Sequence, residues 1–537
     1  MQVVWLKRDL RLADHAALQS ALEACEDHHG VLLLYVAEPE RRQQPDVSDL
    51  HLAWDLANAR DLLDRVTSMG GTMRIEVGTP SEVLNRLHQE HTVSGLHSHE
   101  ETGLMWSWER DKGVRAWCHT NGVPWTEHAS NGVVRRLHNR DRWNGLRNRR
   151  MSVACLPTPS KLPAQPNLAS VDESLNWVSS YTELVNTPLV PGEQAAQAWL
   201  TSFLDTRHID YLPTISNPAT SPQGSSRLSA YIASGVLSVR QVVQSINHAR
   251  RTPEDERGTP KTVFNKNVNA FASRVSWRCH FVQRLEVEPT MESVSINPEL
   301  CKALDRIDDE ARYTAWSEGR TGWPFFDACM RSLMATGWIN FRMRAMLQSV
   351  AAYTLWLPWQ RTGSHLARLF IDYEPGIHWS QIHMQSGVTG INSVRAYSVL
   401  KQSLDHDMDG SFIRRWVPEL AMVPTPYIHE PWTMSDEMQS TVGVNIGTTY
   451  PSPIVDEAEE RGNGIAAAYA AKRGDTVKAR SAKVYTKHGS RKQRGRRPPS
   501  TRKAAKKPSA GTPETKEQKL NQTPEKKPQL TLLDFEG

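Results

Sequence analysis

The chain has 537 residues, 39% of them hydrophobic and 23% charged, which is too long for one ordinary core and predicts at least two domains. No apolar run reaches the roughly 18 residues of a membrane span and no signal-peptide pattern appears, so a soluble, cytoplasmic protein with no membrane contact is expected. Six cysteines, at 25, 118, 155, 279, 301 and 329, stand 22 or more positions apart. That spacing argues against a zinc or iron–sulfur site and against a disulfide framework. The formal charge of +5 is unevenly spread: residues 472–537 carry 19 Lys/Arg against 6 Asp/Glu, and this +13 leaves −8 for residues 1–471. Nucleic acid suits such a basic tail, with a merely solubilising tail as the alternative.

Residues 1–130 alternate strand-like and helix-like runs. Residues 3–6, 31–36 and 73–77 predict buried strands, and stretches around 14–26, 47–69 and 80–91 predict the helices between them. This is the pattern of an α/β domain with a parallel, Rossmann-like sheet. No Gly-x-Gly-x-x-Gly follows the first strand, so dinucleotide binding there has no support. Residues 131–190 are rich in Asn, Pro and Ser, with Pro157, Pro159, Pro163 and Pro166 close together, and predict an interdomain linker. From 191 to 471 the pattern is helical, an all-α domain. Residues 472–537 form the basic tail, and 474–528 are expected to be disordered. Large apolar residues are sparse there and cluster again only in its final residues, in Leu530, Leu532, Leu533 and Phe535.

The most informative stretch runs Trp316-Ser-Glu-Gly-Arg-Thr-Gly-Trp-Pro-Phe-Phe-Asp-Ala-Cys-Met-Arg331 and continues as Gly337-Trp-Ile-Asn-Phe-Arg-Met-Arg344. Aromatic rings beside guanidinium groups suit a planar, anionic cofactor. A Trp-rich helical core with solvated arginines is the alternative. Earlier come Arg8-Asp-Leu-Arg11 after the first strand and Ser225-Ser-Arg-Leu-Ser229 with Gly235-Val-Leu-Ser238 behind it. Later come Asp409-Gly-Ser-Phe-Ile-Arg-Arg-Trp416 and Ile428-His-Glu-Pro-Trp432.

In this order and spacing, these segments resemble the cryptochrome/photolyase family. The resemblance implies an α/β antenna domain over 1–130 and an all-α FAD-binding domain over 191–471. FAD would be held by Tyr211, by the phosphate loop Ser225, Ser226, Arg227, Leu228 and Ser229, by Trp338, and by Arg344 paired with Asp372, with Glu374 nearby. The loop leads into a helix-like run whose N-terminus would favour the pyrophosphate. An antenna chromophore of folate or deazaflavin type is implied near His99-Glu-Glu-Thr-Gly103, where a plain surface turn is equally in keeping.

Where DNA photolyases carry Glu-x-x-Trp-Arg against the damaged bases, this chain has Arg274-Val-Ser-Trp277-Arg278. Trp277, Arg278 and Arg342 are the implied DNA contacts, but Arg274 cannot donate a proton near neutral pH. His378 stands where the family places an Asn against the flavin ring; an imidazole there is expected to titrate near neutrality or to be structural. Of the family's tryptophan relay only the middle member is matched, by Trp359. Ile382 and Arg306 take the inner and outer positions, and Trp379, Trp356, Trp323 and Trp316 offer another route.

Three functions follow from the resemblance: a light-driven lyase of pyrimidine dimers in DNA, a blue-light photoreceptor, or a flavoprotein that binds DNA without chemistry. A monomer is expected. Gln529-Leu-Thr-Leu-Leu533, with Phe535, resembles the short peptide by which repair proteins bind the sliding clamp; docking back onto the protein's own helices is the alternative.

Overall fold

The computed structural model describes residues 1–25 and 30–489. Six parallel strands are β1 (Gln2–Leu6), β2 (Val31–Ala37), β3 (Thr72–Val77), β4 (Gly95–His99), β5 (Trp125–His128) and β6 (Val171–Asp172), in the order β5-β4-β1-β2-β3-β6. Crossovers run through α1 (Ala16–Glu23), α2 (Asp49–Ser68), α3 (Pro80–His91) and α4 (Met105–Thr120). The three expected strands and the three expected helices are present, with ends shifted by one to three residues.

Sequence pattern missed β4 because Gly-Leu-His-Ser-His has no apolar run. Hydrogen bonds satisfy its buried imidazoles instead: His97 reaches Ser20 at 3.1 Å and Gln2 at 3.0 Å, and His99 reaches Asp9 at 2.6 Å. A parallel sheet buried on both faces tolerates such residues only when they are so paired.

The segment 131–190 is more than a linker. It contributes a helix at Trp143–Ser152 and the edge strand β6, whose Asp172 pairs with Arg60 of α2 at 2.7 Å. One continuous hydrophobic core joins a face of the sheet to the first helices beyond 191, including Leu200, Phe203 and Phe271. The lobes interlock at Gly235. Its φ is +72°, and a Cβ there would lie 1.8 Å from the carbonyl oxygen of Arg8, so only glycine allows the approach.

In the helical lobe, α5 (Lys261–Val287), α6 (Pro324–Thr336), α7 (Phe341–Ser349), α8 (Trp359–Leu369) and α9 (Pro375–Gln385) form the part that matters for the site. A second core lies here, containing Trp316, Trp323, Trp359 and Trp379. The expectation of a disordered tail from 474 is corrected for its first part: α10 (Asp475–His488) is helical and buries Val477 and Val484 in the second core. Those two residues lie seven apart, two helical turns, so a mostly polar segment still offers one apolar stripe. The C-terminal segment with Gln529, Leu530, Leu532, Leu533 and Phe535 lies outside the described residues. Among the described residues no helix is long and apolar enough to cross a membrane.

Candidate functional site

A cavity of about 320 Å³ opens between α5, α7 and α9 and the segment 211–233. Its wall includes Tyr211, Ser225, Ser226, Arg227, Leu228, Ser229, Trp338, Arg344, Asp372, Glu374, Arg274, Trp277, Arg278 and His378, which are residues scattered over 168 positions of sequence. Folding therefore gathers most of the expected site.

The loop 225–229 is held from behind. Arg207 donates to the carbonyl oxygens of Ser225 and Ser226 and stacks on Trp199 at 4.7 Å. Arg227 sits at φ +58°, an unusual conformation for a side chain with a Cβ, and lies over Trp338 at 4.0 Å. Burial lowers its pKa to about 10, so it stays charged at neutral pH. The helix after the loop, Ser229–Ala233, has only five residues. The expectation of a helix N-terminus favouring pyrophosphate is thus replaced by hydroxyl groups and the Arg227 cation.

Arg344 forms a two-pronged pair with Asp372, at 2.9 and 3.0 Å, while its Nε donates to the carbonyl of Ile339 at 2.7 Å. Burial pushes the Asp372 carboxyl up, but Arg344, Ser229 and Arg227 outweigh it and hold the group below its ordinary value. Glu374 is committed elsewhere: it accepts from Arg278 at 2.6 Å and from Arg8, across the lobe boundary, at 3.3 Å. Arg8 was not singled out as a site residue, although it belongs to the Arg-Asp-Leu-Arg signature.

Several buried polar atoms on this wall lack a partner: Ser221 Oγ, Ser225 Oγ, Asn340 Oδ1, Gln348 Oε1 and Gln385 Oε1. Orphaned donors and acceptors of this kind around an otherwise apolar cavity fit a polar, planar cofactor with a phosphate arm. Asn340 lies in the Gly337–Arg344 stretch singled out in the sequence, whereas Gln348 and Gln385 were invisible there, since an amide in a helical run carries no pattern of its own.

Three expectations need correction or relocation. His378 lines the cavity, but its Nε2 donates to the Gly363 carbonyl at 2.9 Å, and burial lowers its pKa to about 3. It is a neutral imidazole at physiological pH and does not titrate near neutrality. None of residues 316–331 touches the cavity. Asp327 instead accepts from Thr321 at 2.8 Å, from Gly322 at 3.1 Å and from Tyr450 at 2.5 Å, a buried knot that positions α6. Arg342 is off the cavity wall, near Tyr397 and near His406, whose pKa burial, with Arg342 beside it, lowers to about 4.

The relay tryptophans separate clearly. Ile382 occupies the cavity wall, while Trp379 stands 5.1 Å from the His378 ring and 5.9 Å from Trp359. Arg306 stacks on Trp356 at 5.2 Å. Trp316 and Trp323 pack in the second core against His365 and Phe326.

At the outer rim, the Arg274 guanidinium lies over the Trp277 ring at 4.5 Å, one helical turn away. The cleft at the carboxyl ends of β1 and β4, where His99 to Gly103 lie, is filled by paired charges. Arg110 bridges Glu38 at 3.0 Å and Glu101 at 2.6 Å.

Comparison with known proteins meets this geometry. A family model described as the FAD binding domain of DNA photolyase matches residues 271–470, and one described as DNA photolyase matches residues 2–139. A deoxyribodipyrimidine photo-lyase of Alkalihalophilus pseudofirmus is 26% identical over 493 residues, covering 86% of this chain and 96% of that protein. A cryptochrome DASH of Natronomonas pharaonis is 25% identical over 490 residues, covering 84% and 98%. The crystal structure of a bacterial class III photolyase from Agrobacterium tumefaciens matches with a TM-score of 0.74 at 24% identity, over 88% of this chain and 98% of that one.

Proposed function

That this chain belongs to the cryptochrome/photolyase family is our premise, and from it we propose a blue-light-driven DNA photolyase, a carbon–carbon lyase acting on pyrimidine dimers. The observation that carries this reading is that Trp277 and Arg278 share one cavity with the Arg227 loop and the Arg344–Asp372 pair. Reduced FAD, when bound there, would on absorbing light lend an electron to the dimer, whose two inter-base carbon–carbon bonds then break, and would take the electron back with no net oxidation or reduction. Arg227 and the serine hydroxyls bind the phosphates, and Arg344, steadied by Asp372, holds positive charge beside the ring. Trp277 offers a flat face for a base taken out of the duplex. Glu374 fixes Arg278, which keeps that guanidinium on the cavity wall. Arg274 donates hydrogen bonds to a pyrimidine carbonyl or a phosphate and retains its proton throughout.

Trp359 and Trp379 connect the cavity to the second core and are the proposed electron route. DNA is the proposed substrate-bearing partner, the chain acts as a cytoplasmic monomer, and the C-terminal Gln529 motif docks on a sliding clamp. An antenna chromophore, folate or deazaflavin, belongs in the β1/β4 cleft only if the Glu38–Arg110–Glu101 bridge opens.

One observation favours a photoreceptor instead: Arg274 replaces the lesion-facing carboxylate and stacks on the indole that a lesion would use. Illumination of the reduced, FAD-loaded protein with an oligonucleotide carrying one cyclobutane dimer decides between them. Loss of the dimer under blue light, absent in the dark, supports repair; no loss transfers the proposal to light sensing.

A further inference from the structure

Helix α5 presents a second face to a second cavity, of about 270 Å³, which shares no lining residue with the first. Three distant segments build it: residues 137–140, the last turns of α5, and residues 486–488 at the end of α10. None of the lining residues is acidic, whereas Arg140, Arg284 and Lys487 are cations and His138, His280 and His488 are imidazoles.

Arg284 is the centre of this cluster. It is 7% exposed, and its Nε has no hydrogen-bond partner. Its Nη2 lies 3.5 Å from His280 Nε2, while Arg140 donates to His280 Nδ1 from the other side. Burial, with Arg284 and Arg140 on either side, holds that imidazole well below its ordinary pKa and therefore uncharged. The Glu288 carboxylate, one turn on, is occupied by Lys487 at 2.5 Å and His488 at 2.8 Å. The wall is firmly built. Gln283 exchanges two hydrogen bonds with the backbone of Val134, at 2.7 and 3.0 Å, and Arg140 stacks on Trp143 at 4.6 Å.

A buried guanidinium, Arg284, is repelled by a half-buried one, Arg140, across the same imidazole, and a buried N–H without an acceptor adds a desolvation cost. An oxyanion held between them removes both penalties, because forked donors match its oxygens. We propose that this cavity binds a phosphate group, clamped by Arg284 and Arg140 with Lys487 at its rim. Phosphate suits the cluster better than a carboxylate does, having more oxygens for the forked donors of two guanidinium groups. Since α10 supplies the rim, the ligand also ties the C-terminal helix to the body. The phosphate comes from a small phosphorylated molecule or from a DNA backbone; both present the same group.

The test is a calorimetric titration of inorganic phosphate into the full, FAD-loaded chain at constant ionic strength. Saturable binding of one phosphate per chain is expected. Arg284→Gln weakens it about tenfold or more, and Lys487→Gln, at a half-exposed site, weakens it about threefold. Flavin absorbance stays unchanged in both. Should Arg284→Gln fail to fold, Lys487→Gln and Arg140→Gln carry the comparison. Absence of saturable binding by the unaltered protein, or equal affinity in it and the folded variants, overturns the proposal. Undamaged duplex DNA added to the titration identifies the source: competition assigns a backbone phosphate, and unchanged affinity assigns a small phosphorylated molecule.

Discussion

The two cavities flanking α5 draw on the same residue types and close their charge differently. On the flavin side Arg344 is matched by Asp372 and Arg278 by Glu374, so two of the four arginines on an otherwise apolar wall are held in ion pairs with its two carboxylates. On the far side Arg140 and Arg284 face a neutral imidazole, no acid lines the cavity, and Glu288, one turn beyond Arg284, is taken by α10. Ion pairs fix guanidinium groups on the wall of a cavity large enough for a planar group. A buried guanidinium with an N–H left over asks for an anion itself. Neither property is visible in composition, since each depends on which carboxylate ends up beside which guanidinium.

The largest effect is expected from breaking an ion pair on the flavin side. Arg344→Ala leaves Asp372 buried and unpaired, which costs about 3–5 kcal/mol and strips the protein of flavin. Thermal unfolding and the visible absorbance of the purified variant check this. Arg344→Ala/Asp372→Asn should recover part of the lost stability, because the orphaned charge is gone. Arg227→Ala comes next, removing a charge-assisted phosphate contact worth about 1.5–3 kcal/mol. Flavin affinity, measured by fluorescence of the released cofactor, should fall by one to two orders of magnitude while the fold persists.

Trp277→Ala leaves both charge arrangements untouched and removes only a stacking face. Affinity for dimer-containing DNA should weaken by about 1–3 kcal/mol, with undamaged DNA bound as before. Equal losses for both DNAs would show that Trp277 packs the cavity wall and does not read the lesion.

His378 gives the smallest and most diagnostic effect. Its folded pKa of about 3 lies below the ordinary value near 6.5, so the stability tied to its neutral form is complete above about pH 6.5 and drains away as pH falls toward 3. Between pH 6.5 and 5.5 the unaltered protein should lose about 1 kcal/mol more than His378→Asn does. Denaturant unfolding at the two pH values measures the difference, and parallel curves would return His378 to the solvent-accessible class.

Much of the site was legible because its chemistry recurs as short contiguous motifs. Ser225 to Ser229, Trp277-Arg278 and Gly337-Trp-Ile-Asn all carry several wall residues within a few positions of one another. Strands β1, β2 and β3 were legible for a related reason: runs such as Val31-Leu-Leu-Leu-Tyr-Val are buried on both faces, and burial of that kind must be apolar throughout. Strand β4 escaped because side-chain hydrogen bonds replace apolar character there. The stretch 316–331, the richest in motif, proved to be scaffold, since Asp327 spends its carboxylate on Thr321, Gly322 and Tyr450.

Local pattern sufficed for the α/β-then-helical order of the chain and the basic character of residues 472–537, and the family resemblance of its short motifs pointed to the loop, aromatic and arginine groups that line the flavin cavity. Folding alone set the partners. It placed Arg8 against Glu374 across 366 positions and stacked Arg274 on Trp277. It buried His378 deeply enough to keep it neutral, and it brought residues 137–140, α5 and α10 together around Arg284. A sequence shows which groups carry charge. The energy of a charge depends on its distance from other charges and from water, and those distances exist only once the chain has folded.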